Sequence, residues 1–221
     1  MTATLAAAFG QLAGPDVAVA VQKIDGPLRP LWASEIPAMA RAVPSRRAEF
    51  TAGRNAARAA MQALGLPGAA VPMGQDRAPV WPQGIVGSIS HSCGLCVALV
   101  ARSGPIMGLG VDLESDTALD ADLWAQVCGP DELAAINLLP EPLRGRVAKQ
   151  IFCAKECAYK CIYPQIQMVL GFSALEIRID PGDGGFAATL AQPAGPYVAG
   201  TVWRGGISLT QGMICAVMAL R

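Results

Sequence analysis

The stretch Gly108-Leu-Gly-Val-Asp-Leu-Glu114 decides how this chain is read. Its apolar alternation predicts a strand with Val111 and Leu113 turned into a core. Asp112 and Glu114 then share the opposite face. Two neighbouring carboxylates repel each other, and each is costly to strip of water. A hard cation such as Mg²⁺ relieves both costs, since it accepts a sparse carboxylate set completed by water and phosphate oxygens. A solvated strand face explains the same pattern, so the segment alone leaves both readings open.

Downstream, Ala154-Lys155-Glu156 falls on an apolar-periodic stretch expected to be helical over Arg144–Tyr163 and stopped by Pro164. Glu156 offers the third carboxylate that the strand pair lacks. On the same helix Glu156 and Lys160 have the spacing of an ordinary surface ion pair. Cys153, Cys157 and Cys161 recur every four residues on one stripe, where buried free cysteine packs as a small hydrophobe.

Upstream, Pro37–Leu64 reads as largely helical and broken near Pro44, with Ser45 a candidate cap and Gly65 just past the end. Arg47, Arg54 and Arg58 share one face of it, flanked by Arg46. Such a face either meets acids from elsewhere or binds phosphates, which guanidinium holds in bidentate fashion. Strands are expected at Val17–Ile24, Val86–Ser90 and Cys96–Arg102. The turn Ser88-Ile-Ser-His91 carries the only histidine of the chain and offers Ser90 and His91 as hydrogen-bonding groups. Cys93-Gly-Leu-Cys96 lacks the further ligands of a structural zinc site, and it opens into a strand rather than a redox-type helix. Beyond Pro164, short strands are expected at Ala174–Ile179, Phe186–Leu190, Val198–Trp203 and Met213–Leu220.

An internal echo links Gly87-Ser-Ile-Ser-His-Ser-Cys-Gly-Leu-Cys-Val-Ala-Leu-Val-Ala-Arg102 to Gly206-Ile-Ser-Leu-Thr-Gln-Gly-Met-Ile-Cys-Ala-Val-Met-Ala-Leu-Arg221, with a one-residue shift. It predicts two similar halves, 1–107 and 108–221, with a site at their join. Lys+Arg and Asp+Glu number 17 each, which speaks against bulk nucleic-acid binding. With 52% hydrophobic residues there is ample material for a core, and no apolar run reaches the roughly 18 residues of a membrane span. The first ten residues are Ala-rich without a basic leader region, and seven cysteines fit a reduced, cytoplasmic compartment.

With these blocks in place the chain resembles the 4′-phosphopantetheinyl transferases of the enterobactin and surfactin type. The resemblance rests on Phe50-Thr-Ala-Gly-Arg54 through Arg58 and Gly65, Pro79-Val-Trp-Pro-Gln-Gly84 and Gly87–His91. It continues through Gly110–Glu114, Phe152-Cys-Ala-Lys-Glu156 and Tyr159-Lys160, all in family order over about Arg46–Pro164. It implies an α+β monomer of two pseudo-symmetric subdomains with coenzyme A in the cleft between them. Asp112, Glu114 and Glu156 would hold Mg²⁺, and Lys155 would contact phosphate and assist the leaving group. Arg46, Arg54, Ser90 and His91, with Arg77 as an addition, would bind the nucleotide end. The basic residue usual near Met73 is missing, and Arg77 would stand in for it.

The implied reaction moves phosphopantetheine from coenzyme A to a serine of an apo acyl or peptidyl carrier protein, with Glu156 as base and adenosine 3′,5′-bisphosphate released. A siderophore, non-ribosomal peptide or polyketide pathway would supply the carrier. The exposed-looking segment Leu138–Arg146 is a candidate docking loop. A non-catalytic coenzyme A-binding module is the alternative from another class, and it sits poorly with an intact set of acids. A different Mg²⁺-dependent phosphoryl-transfer enzyme would need a nucleotide-cradling glycine loop, and no Walker-type motif occurs.

Overall fold

A computed structural model describes every residue except 181 and 183. Two antiparallel sheets carry the α+β fold. The first is three-stranded, in the order β1 (Val17–Lys23), β3 (Leu95–Arg102), β2 (Ile85–Ser92). The second runs β4 (Gly108–Ser115), β8 (Met213–Leu220), β7 (Val202–Thr210), β6 (Gly185–Leu190), β5 (Leu175–Asp180). Period-two alternation sends Val97, Leu99, Val111, Leu113, Cys215 and Val217 into one shared core between the sheets. Opposite faces are covered by helices: α2 (Pro44–Ala63) packs on Ala98 and Val100 of β3. The long helix α5 (Glu141–Ile166) packs on Ile214, Ala216 and Met218 of β8.

The echo is a repeated hairpin. β2–β3 turns at Cys93-Gly94 with φ of 50° and 75°, and β7–β8 turns at Gln211-Gly212 with φ of 57° and 73°. Both are two-residue loops with two left-handed residues, the geometry that matches strand twist. Aligned on these turns, Gly87 meets Gly205, Ser90 meets Ser208 and Ala101 meets Ala219, so the one-residue shift disappears. Gly87 and Gly205 even share a reason. A Cβ on either would strike an aromatic ring, Trp81 or Phe186, and the carbonyl of the paired strand, Leu99 or Val217.

Several boundaries differ from expectation. Pro44, not a residue capped by Ser45, opens α2, with Val43 extended before it; proline fits a first helical position whose N–H needs no partner. Pro164 does not stop α5, which runs to Ile166 and ends with left-handed Gln167. The buried side chain of Ile166 holds this last turn in the core. The segment Leu138–Arg146 is largely helical, since α5 begins at Glu141. Val198–Thr201 lies outside β7, whose first strand residue is Val202.

Two helices escaped the sequence reading. Helix α1 (Thr2–Ala13) buries Leu5, Phe9 and Ala13 at four-residue spacing, and α3 (Ala121–Val127) buries little beyond Val127. Between α3 and α5 lies α4 (Pro130–Asn137). No helix among the described residues is long and apolar enough to cross a membrane.

Candidate active site

Two glycines set the site. A Cβ on Gly108 or Gly110 would strike the main-chain carbonyls of Cys161 and Cys157, so α5 approaches β4 at backbone distance. The cysteine stripe forms this contact. Cys153, Cys157 and Cys161 are fully buried, and burial pushes the thiols up, Cys161 to about 12. They are inert packing groups. Exposed Cys93 sits at a hairpin turn, and buried Cys96 donates to the carbonyl of Glu49.

Close packing places the next face of α5 over Asp112. Lys160 Nζ lies 2.6 Å from Asp112 Oδ1 and also reaches Ser90 Oγ at 3.2 Å and the Val111 carbonyl at 3.3 Å. Ser90 donates to the same Asp112 oxygen at 2.7 Å, and the Val111 N–H donates to Ser88 Oγ. These contacts stitch β2 to β4 across the seam. Asp112 is only 3% exposed, which excludes the solvated-face reading, and its Oδ2 is buried without a partner. Burial works against the charge of Lys160, but the carboxylate of Asp112 outweighs it and the ammonium pKa is raised. Glu156, one turn earlier on α5, has its pKa raised by burial and then by Asp112 and Glu114, with Lys160 opposing. Glu114 is held by Lys149 at 2.6 Å.

The cleft above these groups encloses about 450 Å³. Its far wall carries Arg46, Arg54, Arg77, Ser90 and His91, so the structure gathers these residues with Asp112, Glu114 and Glu156. Arg54 donates through Nε to the Val71 carbonyl at 2.8 Å and stacks 3.6 Å from the Phe50 ring centre. Burial lowers its pKa to about 10, which leaves it cationic at neutral pH. Arg46 Nη1 donates to His91 Nε2 at 2.8 Å and to Glu49 at 3.1 Å. Burial lowers the His91 pKa, Glu49 opposes and Arg46 adds to the fall, consistent with a neutral ring accepting that bond.

Not every expected residue faces this cleft. Lys155 is 2% exposed, and its ammonium donates to Glu132 at 2.7 Å, the Val127 carbonyl at 2.9 Å and the Phe172 carbonyl at 3.0 Å. It borders a side pocket of about 140 Å³ that Glu156, Tyr159 and Phe172 also line. The arginine face also divides. Arg58 pairs with fully buried Glu35 at 2.8 Å, and Arg47 donates to the Met39 carbonyl. Lys160, whose spacing from Glu156 suits an ordinary surface pair, is instead the ammonium that meets Asp112 at the cleft. Its signal was the block Tyr159-Lys160, five residues past Lys155 and so turned about 140° around the helix. Glu132 gave no such signal.

Among the described residues, no three His, Cys, Asp or Glu side chains are gathered into a metal cage. What the cleft does hold is a wall of arginines, a lysine and clustered carboxylates, one with an orphaned oxygen: the layout of a phosphoryl-transfer site rather than of a hydrolytic triad.

The comparisons sharpen that class. Residues 34–101 match the model of the 4′-phosphopantetheinyl transferase N-terminal domain, and residues 108–211 match that of the 4′-phosphopantetheinyl transferase superfamily. The chain is 38% identical over 184 residues to 4′-phosphopantetheinyl transferase Svp of Streptomyces mobaraensis, covering 80% of this chain and 72% of that one. It is 32% identical over 215 residues to 4′-phosphopantetheinyl transferase PptT of Mycobacterium tuberculosis, covering 93% and 92%. Enterobactin synthase component D of Salmonella typhimurium is 32% identical over 154 residues, covering 66% and 61%. The chain belongs to the 4′-phosphopantetheinyl transferase superfamily, as an enzyme of that class.

Proposed function

We propose that this chain transfers the 4′-phosphopantetheine arm of coenzyme A to a serine hydroxyl of an apo acyl or peptidyl carrier protein. The observation that carries this reading is the buried, unpartnered Oδ2 of Asp112, set beside Lys160 and Glu156 in a cleft whose other wall is basic. Arg46, Arg54, Arg77, Ser90 and His91 would bind the 3′-phosphoadenosine end, as guanidinium and neutral imidazole groups suit phosphate oxygens. The halves 1–107 and 108–221 supply the two walls, and the enzyme acts as a cytoplasmic monomer.

Asp112 and Glu114 with Glu156 fit a hard cation by their chemistry: all-oxygen donors, one oxygen orphaned, and a phosphate-bearing substrate to complete the shell. Bound Mg²⁺ would neutralise charge on the pyrophosphate and fix it for in-line attack. Lys160 would hold a pyrophosphate oxygen from the α5 side. Lys155, assigned the phosphate contact by the family resemblance, serves in this reading as the buried anchor of the helix that carries Glu156.

Glu156 would take the proton of the incoming serine, a role for which a carboxylate with raised pKa is suited. The serine oxygen then bonds to the pantetheine-side phosphorus. The bond from that phosphorus to the bridging pyrophosphate oxygen breaks, and adenosine 3′,5′-bisphosphate leaves with the electron pair. Non-ribosomal peptide, siderophore or polyketide synthesis would supply the carrier.

Intact mass of an apo carrier after incubation with coenzyme A and Mg²⁺ tests the reading. The expected result is one added phosphopantetheine with the wild-type chain. With Glu156→Gln the transfer should be lost while coenzyme A still binds. Near-normal turnover in Glu156→Gln would remove Glu156 from the base role. No gain with wild-type enzyme across a panel of carriers would favour a binding module.

A further inference from the structure

The basic wall of the cleft includes one stretch with little secondary structure to hold it. Met73–Pro79 is a tight loop closed by an isolated bridge between its two ends, with the Gly74 N–H donating to the Ala78 carbonyl at 2.8 Å. Arg77 sits near its tip in the left-handed region, φ 68°, and donates its N–H to the Gly74 carbonyl at 3.0 Å. A left-handed arginine is uncommon and persists only where its surroundings fix the backbone. Inside the loop, Asp76 Oδ1 accepts the Ala78 N–H at 3.0 Å, the local aspartate turn that such backbones use. Gly74 permits this, because a Cβ there would lie 2.6 Å from Asp76 Oδ1.

The second oxygen of Asp76 is held from the other half of the molecule. Tyr163, on the last turns of α5, donates its hydroxyl to Asp76 Oδ2 at 2.7 Å. Tyr163 is itself braced edge-on by Tyr159, with ring centres 5.5 Å apart. Asp76, Arg77, Tyr159 and Tyr163 all line the main cleft. The bond therefore joins the loop of the first half to the helix that carries Glu156 and Lys160. It titrates accordingly: the Tyr163 hydroxyl lowers the Asp76 pKa, and Asp76 pushes Tyr163 up to about 12.

We infer that Asp76 and Tyr163 form a clasp across the seam that holds the Arg77 loop against the cleft. Asp76 and Tyr163 are thus positioning residues for binding of the phosphate-rich end of the substrate. Pre-setting a cationic side chain in its bound place removes an ordering cost that binding would otherwise carry. The loop anchoring stands on the geometry alone, and its consequence for substrate rests on the proposed coenzyme A reading.

Two measurements on the full-length chain separate these. Hydrogen exchange without ligand reports the anchor: Tyr163→Phe should speed exchange across residues 74–78 while protection of β3 and β8 stays unchanged. Unchanged exchange in the loop would overturn the clasp, whatever the substrate. Calorimetric titration with coenzyme A reports the consequence. Tyr163→Phe should weaken affinity about fivefold to tenfold with kcat at saturation nearly intact, the range of one ordinary, solvent-exposed hydrogen bond. Asp76→Ala should weaken affinity at least as much.

In an Arg77→Asn background, which tolerates the left-handed backbone, Tyr163→Phe should add almost nothing, because its effect runs through Arg77. Full additivity would assign Tyr163 a structural role and overturn the positioning claim. If Tyr163→Phe speeds loop exchange but wild-type protein does not bind coenzyme A, the coenzyme A reading fails while the loop anchor stands.

Discussion

Lys155 and Lys160 lie five residues apart on one helix, each paired with a carboxylate, yet the two pairs differ in what they leave open. Behind α5, Lys155 spends all three ammonium hydrogens on Glu132 and two carbonyls. Glu132 in turn accepts the N–H groups of Gly129 and Ile177, so every polar atom is satisfied. In front of α5, Lys160 meets Asp112 beside a cleft, and one oxygen of Asp112 has no partner. A saturated buried pair has nothing left to offer a ligand; an unsaturated one at a cleft does. The same helix is thus tied down on one side and left chemically open on the other. The backbone approach at Gly108 and Gly110 fixes both sides at once.

The largest effect should come from breaking the closed pair. Lys155→Ala would leave Glu132 charged and buried, and such losses cost about 3–5 kcal/mol. Chemical denaturation should register this as a lower midpoint with an unchanged m-value. A loss under about 1 kcal/mol would mean that the pair does not anchor α5.

The smallest effect concerns the exposed hydrogen bond between Tyr163 and Asp76. Tyr163 has its pKa raised from 10 to about 12 by Asp76, so its contribution is complete below pH 10 and lost as pH rises through 12. Asp76, whose pKa is depressed, contributes above its ordinary 3.8 and loses that contribution as pH falls through the lower folded value. The Tm difference between wild type and Tyr163→Phe should therefore be flat from neutral pH to 10 and shrink beyond it. A difference that grows above pH 10 would contradict the bond.

The contrast also shows where the sequence is legible. Period-two alternation around Asp112 was readable because strand geometry permits only two faces. The hairpin echo was readable too, although its register needed the left-handed turns at Cys93-Gly94 and Gln211-Gly212 to be fixed. Which lysine faces the cleft was not readable. Both lie on a helix covered on more than one side, and only the placement of α4, which delivers Glu132 to Lys155, tells the two apart. Helix α1 was hidden in an Ala-rich segment whose stripe of Leu5, Phe9 and Ala13 is short and unmarked by caps. Glu35 lies in an irregular stretch, so its burial against Arg58 had no periodic signature, and the arginine face looked uniform when it is divided.

The central claim, that the open side of α5 is the substrate side, is tested most directly by coenzyme A affinity in Lys160→Met, measured calorimetrically against wild type. One site per wild-type chain is expected, and at least a tenfold loss in the variant, about 1.4 kcal/mol, with cooperative unfolding retained. Equal affinity in a folded Lys160→Met protein would contradict it.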